Sequence, residues 1–268
     1  MKLRTRDKVL LAISLSIIIA SLCTLAYWYK LYTPTKELIQ NKTPTEAVVV
    51  IEEPNIEPLE GDFTKSSWQN NHVINEDYIT QLRFASGLID LPVVQGESNS
   101  TYLRTDWQSL AYDDLGSIFM DAYSSLEDQN IIIYGHNVYL SYDPSGTQMF
   151  TPLHALALER NYETNKDIYL YLKNELRHYE VAYVFYCPLV KDDNGEYTKT
   201  QSGYEYYYNE YSTEEFTTFI NNVKKLSLYD TGIELTASDK WLTLQTCVDD
   251  RADLRLIIIA KEIDITNY

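Results

Sequence analysis

The second half of the chain is dominated by unbroken or alternating apolar runs. Trp241-Leu242-Thr243-Leu244-Gln245-Thr246-Cys247 predicts a buried strand that ends in a thiol, since aromatic, aliphatic and β-branched residues suit a pleated core. Leu254-Arg255-Leu256-Ile257-Ile258-Ile259-Ala260 predicts a second strand, with an arginine entering it near where the cysteine leaves the first. Upstream, Asn130-Ile131-Ile132-Ile133-Tyr134-Gly135-His136-Asn137 predicts a third strand, ending in a histidine. Further strands are expected at Asp167 to Lys173, Arg177 to Cys187, Ile89 to Gly96, Tyr102-Leu103 and Ser117 to Asp121.

Helices are fewer. One is expected from Asn75 through Ala85, and one from Thr151-Pro152 to about Arg160, with proline in the first turn. The clearest is Ser212 to Leu226. There Ser212 and Glu215 have capping-box spacing, and Phe216, Phe219, Ile220, Val223 and Leu226 form one apolar stripe. Many short strands with few helices predict a mainly β domain, a barrel or a sandwich.

The first part of the chain has a different pattern. Val9 to Tyr29 is a run of 21 residues without a charge, and roughly 20 apolar residues suffice to cross a bilayer. Basic residues Lys2, Arg4, Arg6 and Lys8 precede it. Positive flanks stay on the cytoplasmic side. The expected organisation is a cytoplasmic tail at 1–8, a transmembrane signal anchor at 9–29, an extracellular stalk at 30–72 and a folded domain at 73–268. The expected location is the cell membrane, single-pass, with the N-terminus cytoplasmic and the folded domain extracellular. The stalk reading rests on Pro34, Pro44, Pro54 and Pro58 and on interspersed acids.

Charge narrows the partners. The 268 residues carry a formal net charge of -17. Such a surface disfavours nucleic acid, which needs lysine and arginine patches. The 24 tyrosines suit strands and a rigid peptide- or glycan-binding surface. A non-catalytic surface-binding domain is therefore one reading. The three cysteines, at 23, 187 and 247, lack metal-ligand spacing, as do His72, His136, His154 and His178. No metal and no cofactor are expected.

Cys247, His136 and Arg255 sit at the ends of three predicted strands. A thiolate is the nucleophilic form of cysteine. An imidazole can pass a proton to a departing amine. A permanently charged guanidinium can stabilise the oxyanion formed when a carbonyl is attacked. Together they permit cysteine-based acyl transfer. Other readings stand beside this one. Cys247 could be a structural thiol or pair with Cys187, His136 could be structural, and Arg255 could pair with Asp249, Asp250 or Asp253. Arg251 is a rival arginine.

Thr243-Leu244-Gln245-Thr246-Cys247 followed by Arg255-Leu256-Ile257-Ile258-Ile259-Ala260-Lys261 resembles the Cys/Arg signature of sortases. Ile132-Ile133-Tyr134-Gly135-His136-Asn137 resembles their histidine motif. Asp90-Leu91-Pro92-Val93-Val94-Gln95-Gly96, Gly116-Ser117-Ile118-Phe119-Met120-Asp121, Met149-Phe150 and the segment from Phe216 to Cys247 resemble class B in particular. The likeness covers roughly residues 73 to 263. It implies an eight-stranded β-barrel with N-terminal helices and a helix inserted before the cysteine strand. It also implies Cys247 as nucleophile, His136 as general acid/base and Arg255 as stabiliser of the oxyanion or substrate. Asn137, Leu244, Gln245 and Thr246 flank these residues and are the candidates for substrate contact.

The implied reaction cleaves a Thr–Gly or Thr–Asn type bond in the C-terminal sorting signal of a surface protein. The thioacyl enzyme is then resolved by a peptidoglycan-precursor amine, or by a pilin lysine in the alternative reading. Two features depart from the class. Gln245 stands where serine is usual, and the loop from Val138 to Gln148 is longer than expected. The stretch up to Asn267-Tyr268 has no second apolar span of the kind common in pilus-building sortases.

Overall fold

In the computed structural model the described residues are 65–139, 141–249 and 251–267. A helix, α1 (Lys65–Ile74), comes first. Nine strands follow: β1 (Tyr78–Phe84), β2 (Asp90–Val94), β3 (Ile118–Met120), β4 (Asn130–Tyr134), β5 (Asp167–Tyr171), β6 (Glu175–Lys191), β7 (Tyr197–Thr200), β8 (Trp241–Val248) and β9 (Arg251–Asn267). They pair in the order β5-β1-β2-β3-β4-β8-β9-β6, and β5 pairs again with β6. That last pairing closes an eight-stranded barrel, as expected. β7 lies outside the ring, as a hairpin partner of β6. Closure removes the sheet edges that would otherwise present unpaired backbone groups.

The barrel is filled from every strand around it. Leu82, Val93, Ile118, Ile133, Leu170, Val184, Leu244 and Ile258 belong to one interior cluster. β8 and β9 are also covered outside. Ile257 and Ile259 pack with Phe185, Trp241 and the apolar stripe of α2 (Thr213–Leu226). Burial on both faces explains why Leu256 to Ala260 carries no polar alternation. The start of α2 is set as its spacing predicts: the Glu215 amide donates to Ser212 Oγ, and the Ser212 amide donates to Glu215 Oε2.

Several expectations are corrected. The helix predicted from Asn75 through Ala85 is the strand β1, whose burial alternates so that Tyr78, Thr80, Leu82 and Phe84 face inward. In so short a window the apolar positions fit both periods, and the partners β2 and β5 decide it. Tyr102-Leu103 is not a strand but part of a turn region. Gly116 sits there at φ +57°, where a Cβ would come within 2.4 Å of the Tyr102 carbonyl oxygen, so only glycine fits. The predicted helix after Thr151-Pro152 begins as a 3₁₀ helix, Thr151–Ala157. In that geometry residues three apart align, and both Leu153 and Leu156 are buried.

The membrane location is corrected as well. Among the described residues no helix is long and apolar enough to cross a membrane. The predicted tail, the predicted anchor at 9–29 and the stalk as far as residue 64 lie outside the described residues.

Asn130 joins the barrel to the polar segment that covers its outer face. It is fully buried. Its Nδ2 donates to the carbonyls of Tyr206 (2.8 Å) and Tyr208 (2.9 Å), and its Oδ1 accepts from Thr243 Oγ1 (2.7 Å). Substituting Asn130→Leu orphans all three partners. The expected cost is about 2–4 kcal/mol in unfolding free energy, measured by chemical denaturation.

Candidate active site

Strand direction creates the site. β4 and β8 run parallel, with Tyr134 opposite Gln245. The pairing continues one residue further, as the Gly135 amide donates to the Gln245 carbonyl (3.2 Å) and Thr246 Oγ1 donates to the Gly135 carbonyl (2.9 Å). The next residues along the two chains, His136 and Cys247, therefore emerge at one rim. Gly135 permits this route, because a Cβ there would strike the Phe150 ring at 2.6 Å. β9 returns antiparallel and sets Arg255 directly opposite Cys247. Side chains of such a pair share a face, with Cβ atoms about 5 Å apart.

All three residues line one cleft of about 760 Å³. Cys247 is exposed there. His136 is half-buried, and its Nε2–H donates to the Leu103 carbonyl at 2.8 Å. That leaves Nδ1 as the nitrogen able to exchange a proton. Arg255 is held through Nη1 by the carbonyls of Leu254 (2.8 Å) and Ala252 (3.1 Å). It is the rival, Arg251, that takes Asp253, through Nε (2.8 Å) and Nη2 (2.9 Å).

Cys187 is Arg255's opposite number on the other side, in β6. The two thiols are thus two strand spacings apart, about 10 Å, beyond the reach of a disulfide. Both are free. Burial pushes the Cys187 thiol up to about 12, although Arg255 pulls the other way. Cys187 is therefore a protonated core residue, whereas Cys247 faces solvent.

One pleat below the three residues lies the cleft floor. Gln245 accepts through Oε1 from the buried Tyr206 hydroxyl, which leaves its amide nitrogen as the donor end. Tyr134 donates to Asp121 Oδ2 at 2.9 Å. Burial, then the neighbouring Asp121 charge, raises the Tyr134 phenol far above its ordinary pKa, so it stays a donor. Tyr206, Tyr207 and Tyr208 form a wall with edge-on ring contacts at 5.7 and 5.4 Å.

Of the four residues expected beside substrate, Gln245 and Thr246 line the cleft. Leu244 does not. It is fully buried in the barrel interior, because alternation turns it away from the face that carries Gln245 and Cys247. Asn137 is turned to Asp249, with Nδ2 2.5 Å from Oδ1. Sequence reasoning passed over the tyrosine wall and His154, whose Nε2 lies 3.1 Å from the Cys247 carbonyl. The Tyr204-Glu205-Tyr206-Tyr207-Tyr208 run was the available signal for the wall. Nothing local marks His154.

Comparison with known proteins bears on this geometry. The sortase domain family model matches residues 83–263. Sortase B of Staphylococcus aureus (strain NCTC 8325 / PS 47) is 25% identical over 210 residues, covering 76% of this chain and 78% of the relative. The X-ray structure of Clostridium perfringens sortase B is 29% identical with a TM-score of 0.61, covering 73% of this chain and 99% of that one. A Staphylococcus aureus sortase B–substrate complex is similar in fold, with a TM-score of 0.62 at 24% identity over 76% of this chain and 87% of that one. A family match spanning the barrel from β1 to β9, and class B relatives that share that barrel, lead to one assignment: the chain belongs to the sortase family, and it is a class B cysteine transpeptidase.

Proposed function

We propose that this transpeptidase cleaves the C-terminal sorting signal of surface proteins through a thioacyl intermediate on Cys247 and passes the acyl group to a peptidoglycan-precursor amine. The observation that carries the reading is the meeting of an exposed thiol, a guanidinium opposite it in register and an imidazole at the same rim of one cleft. A sortase B crystal structure solved in complex with triglycine lends support to an amine acceptor, since that peptide presents a free amine.

The chemistry balances without a redox step. Cys247 Sγ attacks the scissile carbonyl carbon as a thiolate. The negative charge moves to the carbonyl oxygen, where Arg255 stabilises it. The C–N bond then breaks, and His136 gives its proton to the departing amine. The incoming amine attacks the thioester and loses a proton to His136, and the thiolate leaves. Gln245, held by Tyr206, is the proposed substrate contact two residues before the nucleophile. Thr246, whose hydroxyl is spent on the Gly135 carbonyl, supports the rim instead.

Cys247→Ala is expected to abolish both cleavage of a peptide carrying a Thr–Gly or Thr–Asn bond and the thioacyl adduct seen by mass spectrometry. Retained cleavage overturns the proposal. His136→Ala and Arg255→Ala should each lower kcat/KM by about 10²–10⁴-fold. Arg255→Lys should recover only part, because an ammonium lacks the planar fork.

In the native protein, methylthiosulfonate should label Cys247 at least about 100-fold faster than Cys187, since reactivity follows thiolate fraction and access. Equal rates measured by peptide mapping count against the nucleophile assignment.

Competition between triglycine and Nα-acetyl-lysine for the thioacyl enzyme separates the two acceptors. Preferential capture by triglycine is expected. Preference for the lysine side chain would instead favour a pilin acceptor.

A further inference from the structure

The carbonyl of the proposed nucleophile has lost its place in the sheet. Carbonyls two residues apart in a strand point to the same edge. The Gln245 carbonyl faces β4 and receives the Gly135 amide. The Cys247 carbonyl faces that same edge one repeat later, where the β4 ladder has ended. On the other side the β8–β9 register shifts between Cys247 and Val248. A strand end in this state needs a donor from elsewhere. His154 supplies it: Nε2 lies 3.1 Å from the Cys247 carbonyl oxygen, and a carbonyl can only accept.

His154 is half-buried and is not among the residues that line the cleft. Burial lowers its pKa below the ordinary imidazole value, against the opposing pull of the Cys247 carbonyl and the Asp249 charge. At neutral pH the ring is therefore uncharged, with its one proton on the nitrogen that faces Cys247.

The element bearing His154 also grips the His136 segment. The Phe150 amide donates to the His136 carbonyl at 2.9 Å. Asn137 bridges to Met149, and the Val138 amide donates to Thr151 Oγ1 at 2.8 Å. Leu153 and Leu156 seat the same 3₁₀ helix, Thr151–Ala157, in the barrel core. A second tie closes the loop, from Asn137 Nδ2 to Asp249 Oδ1 at 2.5 Å. One short, core-anchored helix, together with the Phe150 that caps its start, is thus bonded both to the carbonyl of His136 and to the carbonyl of Cys247.

We propose that His154 is a positioning residue for the transpeptidation. Its neutral imidazole holds the main chain at Cys247, and with the Asn137–Asp249 tie it keeps the thiol at a set distance from His136. The inference rests on the reading of Cys247 as nucleophile given above. A fixed approach of reacting groups acts on the chemical step more than on substrate binding.

The test uses the whole chain and a peptide with a Thr–Gly or Thr–Asn bond. His154→Leu removes the donor, and His154→Gln returns an N–H on a flexible arm. Expected for His154→Leu is a fall in kcat of about 5- to 30-fold with KM within about twofold, and His154→Gln should regain most of the loss. Asn137→Ala cuts the second tie with little risk to folding and should show the same split, a lower kcat at steady KM.

Unchanged kcat in both His154→Leu and Asn137→Ala overturns the inference. So does a loss confined to KM, or a kcat loss that His154→Gln does not relieve in a protein of wild-type melting temperature. If His154→Leu does not fold, the outcome is decided by His154→Gln and Asn137→Ala. Cys247→Ala run alongside keeps the two claims apart: its silence with normal His154 variants sinks only the positioning role, whereas its activity sinks the nucleophile itself.

Discussion

The parallel pairing of β4 with β8 is the constraint from which the rest of the site follows. Parallel neighbours leave a sheet at the same end, so what comes after Tyr134 and what comes after Gln245 must appear together. That places a histidine and a cysteine from segments more than a hundred residues apart at one rim. The antiparallel return of β9 adds an arginine within eight residues of the cysteine, because a tight reversal brings the chain back to the register it has just left. No single side-chain contact assembles the three. The backbone ladder does.

The ladder is held rigid by burial on both faces. Inside, the barrel is packed by aliphatic residues from all eight strands of the ring. Outside, α2 and the segment around Tyr206 cover β6, β8 and β9. The covering stops at Tyr134 and Gln245, where the outer face opens into the cleft. Floor and wall are thus continuous with the outer core, so Tyr206 can be nearly fully buried and still present its hydroxyl to Gln245. This continuity gives the cleft its aromatic character.

Charge is distributed with the same economy. The chain is strongly acidic, yet among the described residues the acids that line the cleft, Asp121 and Glu210, are committed. Asp121 accepts from Asn99 at 2.7 Å, from Tyr134 and from the Tyr123 amide. Glu210 accepts from the Gln129 amide at 3.0 Å. Asp253 is taken by Arg251. Arg255 donates to main-chain carbonyls, which orient a guanidinium without neutralising it. A guanidinium oriented in this way opposite an exposed thiol is of the kind that oxyanion stabilisation uses.

Local pattern by itself determined much of this protein. The strands β4, β8 and β9 were legible as apolar runs, since burial on two faces leaves no room for polar alternation. α2 was legible because a capping box and a stripe are both local. Cys247, His136 and Arg255 stood out as polar groups at the ends of such runs. Tertiary structure alone decided the remainder. It turned Tyr78–Phe84 from an expected helix into a strand, because two neighbours supplied hydrogen bonds that a seven-residue pattern cannot announce. It sent Leu244 inward, kept Cys187 out of disulfide reach, built a wall from a tyrosine run and set His154 on the Cys247 carbonyl. Each of these depends on which strand lies beside which, and pairing between distant segments is a property of the closed ring and not of any window along the chain.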